Sequence, residues 1–315
     1  LNEGSKSRGS VGFADALDAR AIQLSATAGN ETFVIELGSL KEEFDTGLAL
    51  LQEQLKEPNF TAKTLTKTKT MALSDIARKE ADFDTVASNE LKAVLFEGTP
   101  MATPNIGTVE SINQIKLKDI QSFVASHLVI SNALVVIGGD ISKDQAFQKA
   151  KQLLSDLSVG KKANDRYFEP RKTPKESILK RPATEQAYLY FGSPFAMREG
   201  DSEYYKARVA MFILGSSGFG SRMMEEIRVK RGLAYSAYSR LSVAKTNTYF
   251  SGYLQTKLQS QTEAKKTVIE VIDTFVRDGV TQNELDQARK FLLGSEPLRV
   301  ETLSQRLGRT FSEYY

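Results

Sequence analysis

Asn30-Glu-Thr-Phe-Val-Ile-Glu-Leu37 opens on a turn residue and runs into β-branched and aromatic positions, the composition of a strand. It follows the run Ile22–Ala28 across the turn signal Gly29-Asn30, so the two segments read as a hairpin. Downstream, Phe44, Leu48, Leu51 and Leu55 keep helical spacing over Lys41–Lys56 until Pro58 stops it, and another helix starts at Thr61. The same succession returns about 217 positions later. There Asn247-Thr-Tyr-Phe-Ser-Gly-Tyr-Leu254 leads to a helix over Gln261–Arg277, a break at Gly279 and a helix from Gln282. Upstream, Gly9-Ser10 and Gly220-Ser221 each precede a helix and a hairpin. A duplicated helix, hairpin, helix, helix unit predicts an α+β fold of two similar domains, each a mostly antiparallel sheet packed with helices.

The remaining pattern fits between these anchors. Helices are expected over Thr61–Lys79, Thr85–Leu95 and Lys118–Ser126, and Ser142 reads as the cap of a helix over Lys143–Leu157. Ala133-Leu-Val-Val-Ile-Gly-Gly139 reads as a buried strand ending in glycines. Gly160–Pro182 is polar and lacks periodicity, which makes it the interdomain linker candidate. The expected division is a first domain over 1–165, a linker over 166–182 and a second domain over 183–315. In the second, a strand over Gln186–Phe191, a helix over Tyr204–Leu214, a glycine-rich turn and a helix over Met223–Lys230 precede strands over Ala234–Val243 and Thr248–Tyr253. The counterpart of Tyr204–Leu214 would lie before Leu1, so the first domain is expected to lack its N-terminal strand and helix. By the same comparison the second domain is expected to be truncated at its C-terminus.

Composition narrows the chemistry. The 315 residues include no cysteine and one histidine, His127, so this chain by itself supplies no thiol nucleophile, no Cys-based metal site and no centre built from several histidines. Forty-two basic residues against 39 acidic give a net charge of +3, interspersed rather than blocked, which argues against a nucleic-acid partner. The one lysine-rich stretch, Lys63–Lys69, has the spacing of a solvated helix face. No run of 18 apolar residues predicts a membrane span.

The glycines of Leu214-Gly-Ser-Ser-Gly-Phe-Gly-Ser-Arg222 follow a helix rather than a strand, and no Gly-Lys-Ser/Thr comes after them, so a phosphate loop is not indicated. They either make a tight helix-to-helix turn or let a peptide approach the backbone closely. On the second reading Gly215, Ser216, Gly218, Phe219 and Gly220 are candidate substrate-binding residues. No G-x-S-x-G elbow occurs, His127 reads as a helix-end residue, and Glu225 with Glu226 are helix neighbours that face different directions. Met223 and Met224 read as packing residues that could also line a peptide groove. Arg228 and Tyr235 stand seven residues apart across a helix end, a turn at Gly232 and the start of a strand. A guanidinium can grip a carbonyl or carboxylate, and a phenol can donate to an oxyanion, but an exposed helix arginine and a packed strand tyrosine have the same spacing.

Ile227-Arg-Val-Lys-Arg-Gly-Leu-Ala-Tyr-Ser-Ala-Tyr-Ser239 resembles the second-domain signature of the pitrilysin/insulinase-type zinc metallopeptidases, the inverzincins. Leu1-Asn-Glu-Gly-Ser-Lys-Ser-Arg8, Leu95-Phe-Glu-Gly-Thr-Pro100, Ile106-Gly-Thr-Val-Glu-Ser-Ile112 and Ala133-Leu-Val-Val-Ile-Gly-Gly-Asp140 extend the resemblance over nearly the whole chain. It is closest to the zinc-less, Arg/Tyr-bearing subunits of the bacterial two-chain, processing-peptidase-like branch. The resemblance implies half of a clam-like chamber for peptides or unfolded segments, with Arg228 and Tyr235 as the catalytic pair that faces the zinc. It also implies that H-x-x-E-H would end about two residues before Leu1. The third ligand, normally glutamate, falls at Ser74-Asp75, so no metal ligand carries over to this chain. Zinc is then expected in a homologous partner subunit bearing H-x-x-E-H. An inert shell protein, and a zinc peptidase whose motif lies upstream of residue 1, are the other two expectations. Peptide addition to a sheet edge near Thr248–Tyr253, and a periplasmic location, complete them.

Overall fold

The computed structural model describes residues 1–182 and 184–315. The expected boundary at residue 183 lies outside the described residues. In chain order the elements are α1 (Gly9–Asp18), β1 (Gln23–Ala28), β2 (Phe33–Gly38), α2 (Phe44–Lys56), α3 (Ala62–Glu80), α4 (Phe83–Leu95), α5 (Val109–Gln114), α6 (Leu117–His127) and α7 (Lys143–Leu154). There follow β3 (Gln186–Pro194), α8 (Tyr204–Met211), β4 (Ala234–Val243), β5 (Thr248–Lys257), α9 (Gln261–Asp278), α10 (Gln282–Ser295) and α11 (Leu303–Tyr314). They form two compact units, one of Leu1–Ser74, Thr108–Asn164 and Glu296–Tyr315, the other of Asp75–Gly107 and Asp165–Ser295. Each unit combines helices with a small antiparallel sheet, the α+β class expected from the sequence.

The first unit is built on the β1–β2 hairpin, paired from Gln23↔Gly38 to Ala28↔Phe33, with the Gly29 N–H donating to Thr32 O at 2.8 Å. Phe13 of α1, Ile22 and Leu50 of α2 form its buried cluster, each worth about 1.5–3 kcal/mol of transfer free energy. Gly47 lets α2 approach the hairpin: a Cβ there would stand 3.1 Å from Leu37. Ser142 caps α7 in a capping box with Gln145. The buried strand expected over Ala133–Gly139 is not formed, and this is a correction. A strand needs a neighbour for its backbone N–H and C=O groups, and among the described residues none pairs with this run. Gly138 instead lies against Leu303 and Leu307 of α11, and Leu134 is exposed.

The second unit centres on a three-stranded sheet in the order β3-β5-β4, antiparallel throughout. Leu254 pairs with Leu189 on one side and Ala237 on the other. On one face Phe250 and Leu254 pack into a core with Met223, Ile227, Val268 and Val271, the last two from α9. On the other face, Leu91 and Leu95 of α4 cover Gly192 of β3, and Tyr190 donates to Asp84 at 3.0 Å. The sequence placed a peptide-accepting edge near Thr248–Tyr253. This too is corrected: β5 is the central strand, hydrogen-bonded to both neighbours and buried over Thr248–Gly252. Residues 166–181 hold no helix or strand; Phe168 N–H donates to Thr246 O and Arg171 N–H to Leu95 O, both at 2.7 Å.

Candidate functional site

The glycine-rich turn is flanked by two π-helical segments, Phe212–Ser216 continuing α8 and Met224–Val229 after the turn. Such i→i+5 windings are uncommon and concentrate at functional sites. Within the turn Gly218 and Gly220 adopt φ of +70° and +88°, a left-handed backbone that L side chains rarely occupy, with open space where a Cβ would be. Ser221 fastens the turn to the next helix. Its Oγ donates to Gly218 O at 2.7 Å and accepts from Met224 N–H at 3.3 Å. The result carries Phe219 outward to 70% exposure.

Gly215 has a different place. It is buried under β4, where a Cβ would stand 2.2 Å from Ser239 Oγ and 2.7 Å from the Ser239 backbone nitrogen. Its missing side chain is what allows the first π segment to meet the strand. Ser216 is half-buried beside it, and Ser239 Oγ is buried without a hydrogen-bond partner among the described residues.

A turn follows the second π segment and closes at Gly232, with φ of +61°, whose N–H donates to Arg228 O, while Leu233 N–H donates to Ile227 O. β4 then begins with a bulge: Ala234 pairs with Thr256 and Ala237 with Leu254, so three steps on β4 answer two on β5. The extra residue keeps Ala234 and Ala237 together on the buried face, and Tyr235, next to Ala234, points outward at 81% exposure. Ala237 N–H points at Met224 Sδ, 3.3 Å away.

These local devices bring Arg228, Tyr235 and Phe219 together. The guanidinium carbon of Arg228 lies 4.3 Å from the Tyr235 ring centroid and 4.6 Å from that of Phe219, both within cation–π range. Two carboxylates of this unit, Glu226 and Glu284, are engaged with other cations. Glu226 binds Lys230 and Arg231, each at 2.6 Å, and these two cations hold its carboxyl below the usual range. Glu284 binds Arg222 through two bonds, 2.6 and 2.8 Å, which holds its pKa down at about 2. Arg222 also donates to Gly279 O, tying the helix after the glycine turn to the α9–α10 connection. Arg228 is held by rings, and among the described residues its guanidinium N–H groups have no hydrogen-bond partner, which leaves them for an oxyanion or carbonyl.

The other candidates fall outside this cluster. Asp75 is paired with Arg78 and, at 2.9 Å, with Lys79, and these bonds lower its pKa, the Arg78 bond most. Among the described residues no group of three His, Cys, Asp or Glu is placed to hold a metal. His127 ends α6, stacked on Phe123 with centroids 4.3 Å apart and its Nδ1 next to Ser126 Oγ and Phe123 O. Sequence reasoning missed the stack of Phe219 on Arg228, the π segments and the bulge. Only the bulge left a trace, in the spacing of the small residues Ala234, Ala237 and Ser239 by three and then two.

Residues 1–109 match the family described as insulinase, peptidase family M16, and residues 114–292 match the peptidase M16 inactive domain. A Helicobacter pylori protein named non-peptidase homolog YmxG is 45% identical over 315 residues, covering 100% of this chain and 72% of that protein. A Bacillus subtilis protein named uncharacterized zinc protease YmxG is 22% identical over 307 residues, 98% of this chain and 74% of its own length. The crystal structure of a peptidase M16 inactive domain from Pseudomonas fluorescens aligns with a TM-score of 0.88 at 26% identity, covering 98% of this chain and 74% of that one. The fold and the two matched segments define the class as a chain of paired α+β domains. The chain belongs to the M16 peptidase family, with the family's inactive domain carrying Arg228 and Tyr235.

Proposed function

We propose that this chain is the non-metal subunit of a two-chain zinc endopeptidase, contributing Arg228, Tyr235 and half of a chamber that receives peptides or unfolded segments. The observation that carries the reading is the guanidinium of Arg228, held between two exposed aromatic rings and without a carboxylate partner among the described residues. An exposed tyrosine on a bulge and an arginine on a π turn have little packing work to do, so their convergence fits substrate contact. A homologous partner with H-x-x-E-H would hold zinc, which supplies an activated water. In this chain, Arg228 N–H groups donate to the scissile carbonyl, and the Tyr235 hydroxyl donates to the oxyanion as charge develops on it. Both interactions strengthen in the transition state, which is the condition for raising kcat. Among the described residues no strand pairs with the outer edge of β4, beside Tyr235, and this edge suits strand addition by the peptide. A periplasmic location is proposed with this reading, and fractionation of the source cell tests it.

The experiment is reconstitution. Cleavage of an unfolded peptide is measured with this chain, with a zinc-bearing homologue and with both together; the proposal expects activity from the pair and overturns if the pair is no better than the homologue alone. The similarity to a protein named a non-peptidase homolog favours one second reading, an inert shell subunit. That reading expects a stable complex with no gain in cleavage.

A further inference from the structure

We propose that Phe219 is a positioning residue that holds the Arg228 guanidinium in place, so that the glycine turn and the arginine act as one element. The inference rests on the catalytic role proposed for Arg228, although the geometry stands without it. Phe219 precedes Arg228 by nine positions and lies on the tip of a turn whose neighbours are the left-handed Gly218 and Gly220. A solitary exposed phenylalanine is ordinary on a protein surface. This one has its ring 4.6 Å from the guanidinium carbon, with Tyr235 at 4.3 Å from the same carbon.

Three features set this contact apart from chance. The turn is not a free loop, because Ser221 is fully buried and its hydroxyl links Gly218 O to Met224 N–H. Tyr235 points outward from β4 next to the buried Ala234, so one ring meets the guanidinium from the strand and the other from the turn. The cations at positions 222, 230 and 231 all have carboxylate partners, whereas Arg228 has aromatic ones. A carboxylate would occupy the N–H fork and weaken its hold on a neutral carbonyl. A ring orients the charge through its face and leaves those N–H groups to the substrate. A long arginine side chain otherwise gives up rotamer freedom when substrate arrives, and stacking removes part of that cost beforehand.

The test compares Phe219→Leu, which keeps volume and loses the ring face, with Phe219→Tyr and Phe219→Trp, which keep it. In the full chain labelled with 15N, the Arg228 Nε–Hε resonance, assigned by its loss in Arg228→Lys, reports the ring-current environment and the mobility of the guanidinium. Phe219→Leu is expected to shift this resonance and raise its mobility, while Phe219→Tyr and Phe219→Trp leave it ordered. In the reconstituted pair, kcat is expected to fall about tenfold in Phe219→Leu with KM changed less than threefold, and to return to within threefold in Phe219→Tyr. An Arg228 resonance indifferent to Phe219→Leu overturns the proposal, as does a loss of kcat that Phe219→Tyr fails to rescue. If the resonance responds but the unsubstituted pair cleaves nothing, the contact stands and the peptidase reading fails.

Discussion

The Arg228 guanidinium carbon sits 4.3 Å from the centroid of the Tyr235 ring, a contact made across a helix end, a left-handed Gly232 and a β-bulge. The bulge keeps Ala234 and Ala237 together on the buried face, while Tyr235, next to Ala234, points outward as the pleat dictates. Tyr235→Leu, which keeps an apolar side chain and removes the ring face, is expected to leave the chain folded and to abolish the ring-current shift that Tyr235 exerts on the Arg228 Nε–Hε resonance, as NMR would show.

Arg222 and Glu284 form the best-buried ion pair near the turn, with side chains 19% and 27% exposed. Because Arg222 holds the Glu284 pKa near 2, below its ordinary 4.5, the pair stabilises the fold fully above about pH 4.5 and loses that contribution as pH falls towards 2. Glu284→Gln is expected to cost about 1–3 kcal/mol at pH 7 in urea unfolding. The gap between variant and parent should close as pH is lowered from 5 to 2.

Gly215 is a packing glycine with a measurable consequence. Gly215→Ala places a methyl against Ser239, including its backbone nitrogen, so the π segment or β4 has to move. A loss of about 1–3 kcal/mol is expected from such overpacking. Gly218→Ala meets open space and is expected to cost about 1–2 kcal/mol through its left-handed φ alone. Parallel urea titrations distinguish the two, because Ser239→Gly, which removes the Oγ and Cβ contacts but leaves the one with the backbone nitrogen, should recover part of the lost stability only in Gly215→Ala.

Asp75 falls where the resemblance implies a third metal ligand, yet its carboxylate serves Arg78 and Lys79. Asp75→Asn is expected to leave the zinc content of purified chain unchanged and to shift the thermal midpoint little, since exposed helix pairs contribute weakly. Elemental analysis and a melting curve check both.

Much of this architecture was legible because it follows from periodicity. The hairpin over residues 23–38, the helix stopped by Pro58, the Ser142 cap and the paired strands after Gly232 all stand where spacing and turn chemistry put them. Ala133–Gly139 was not legible, because an apolar run specifies a strand only if another strand receives its backbone groups, and pairing is not written in the run itself. The place of β5 at the sheet centre was missed for the same reason: Thr248–Tyr253 reads as a strand, but its two neighbours come from residues 186–194 and 234–243. At the site, Arg228 and Tyr235 were visible through the resemblance of their segment. The Phe219 contact was hidden, since it depends on φ values at Gly218 and Gly220 and on a π winding that residue spacing does not encode.

The central claim is that Arg228 and Tyr235 work on a substrate held opposite a partner's zinc. The most direct measurement is single-turnover cleavage of an unfolded peptide by this chain paired with a zinc-bearing homologue, comparing the parent with Arg228→Ala/Tyr235→Phe. The account predicts that the double variant still associates and still folds but loses cleavage by about 10²-fold or more, the scale of removing oxyanion donors. Cleavage by the double variant at the parent's rate would contradict it.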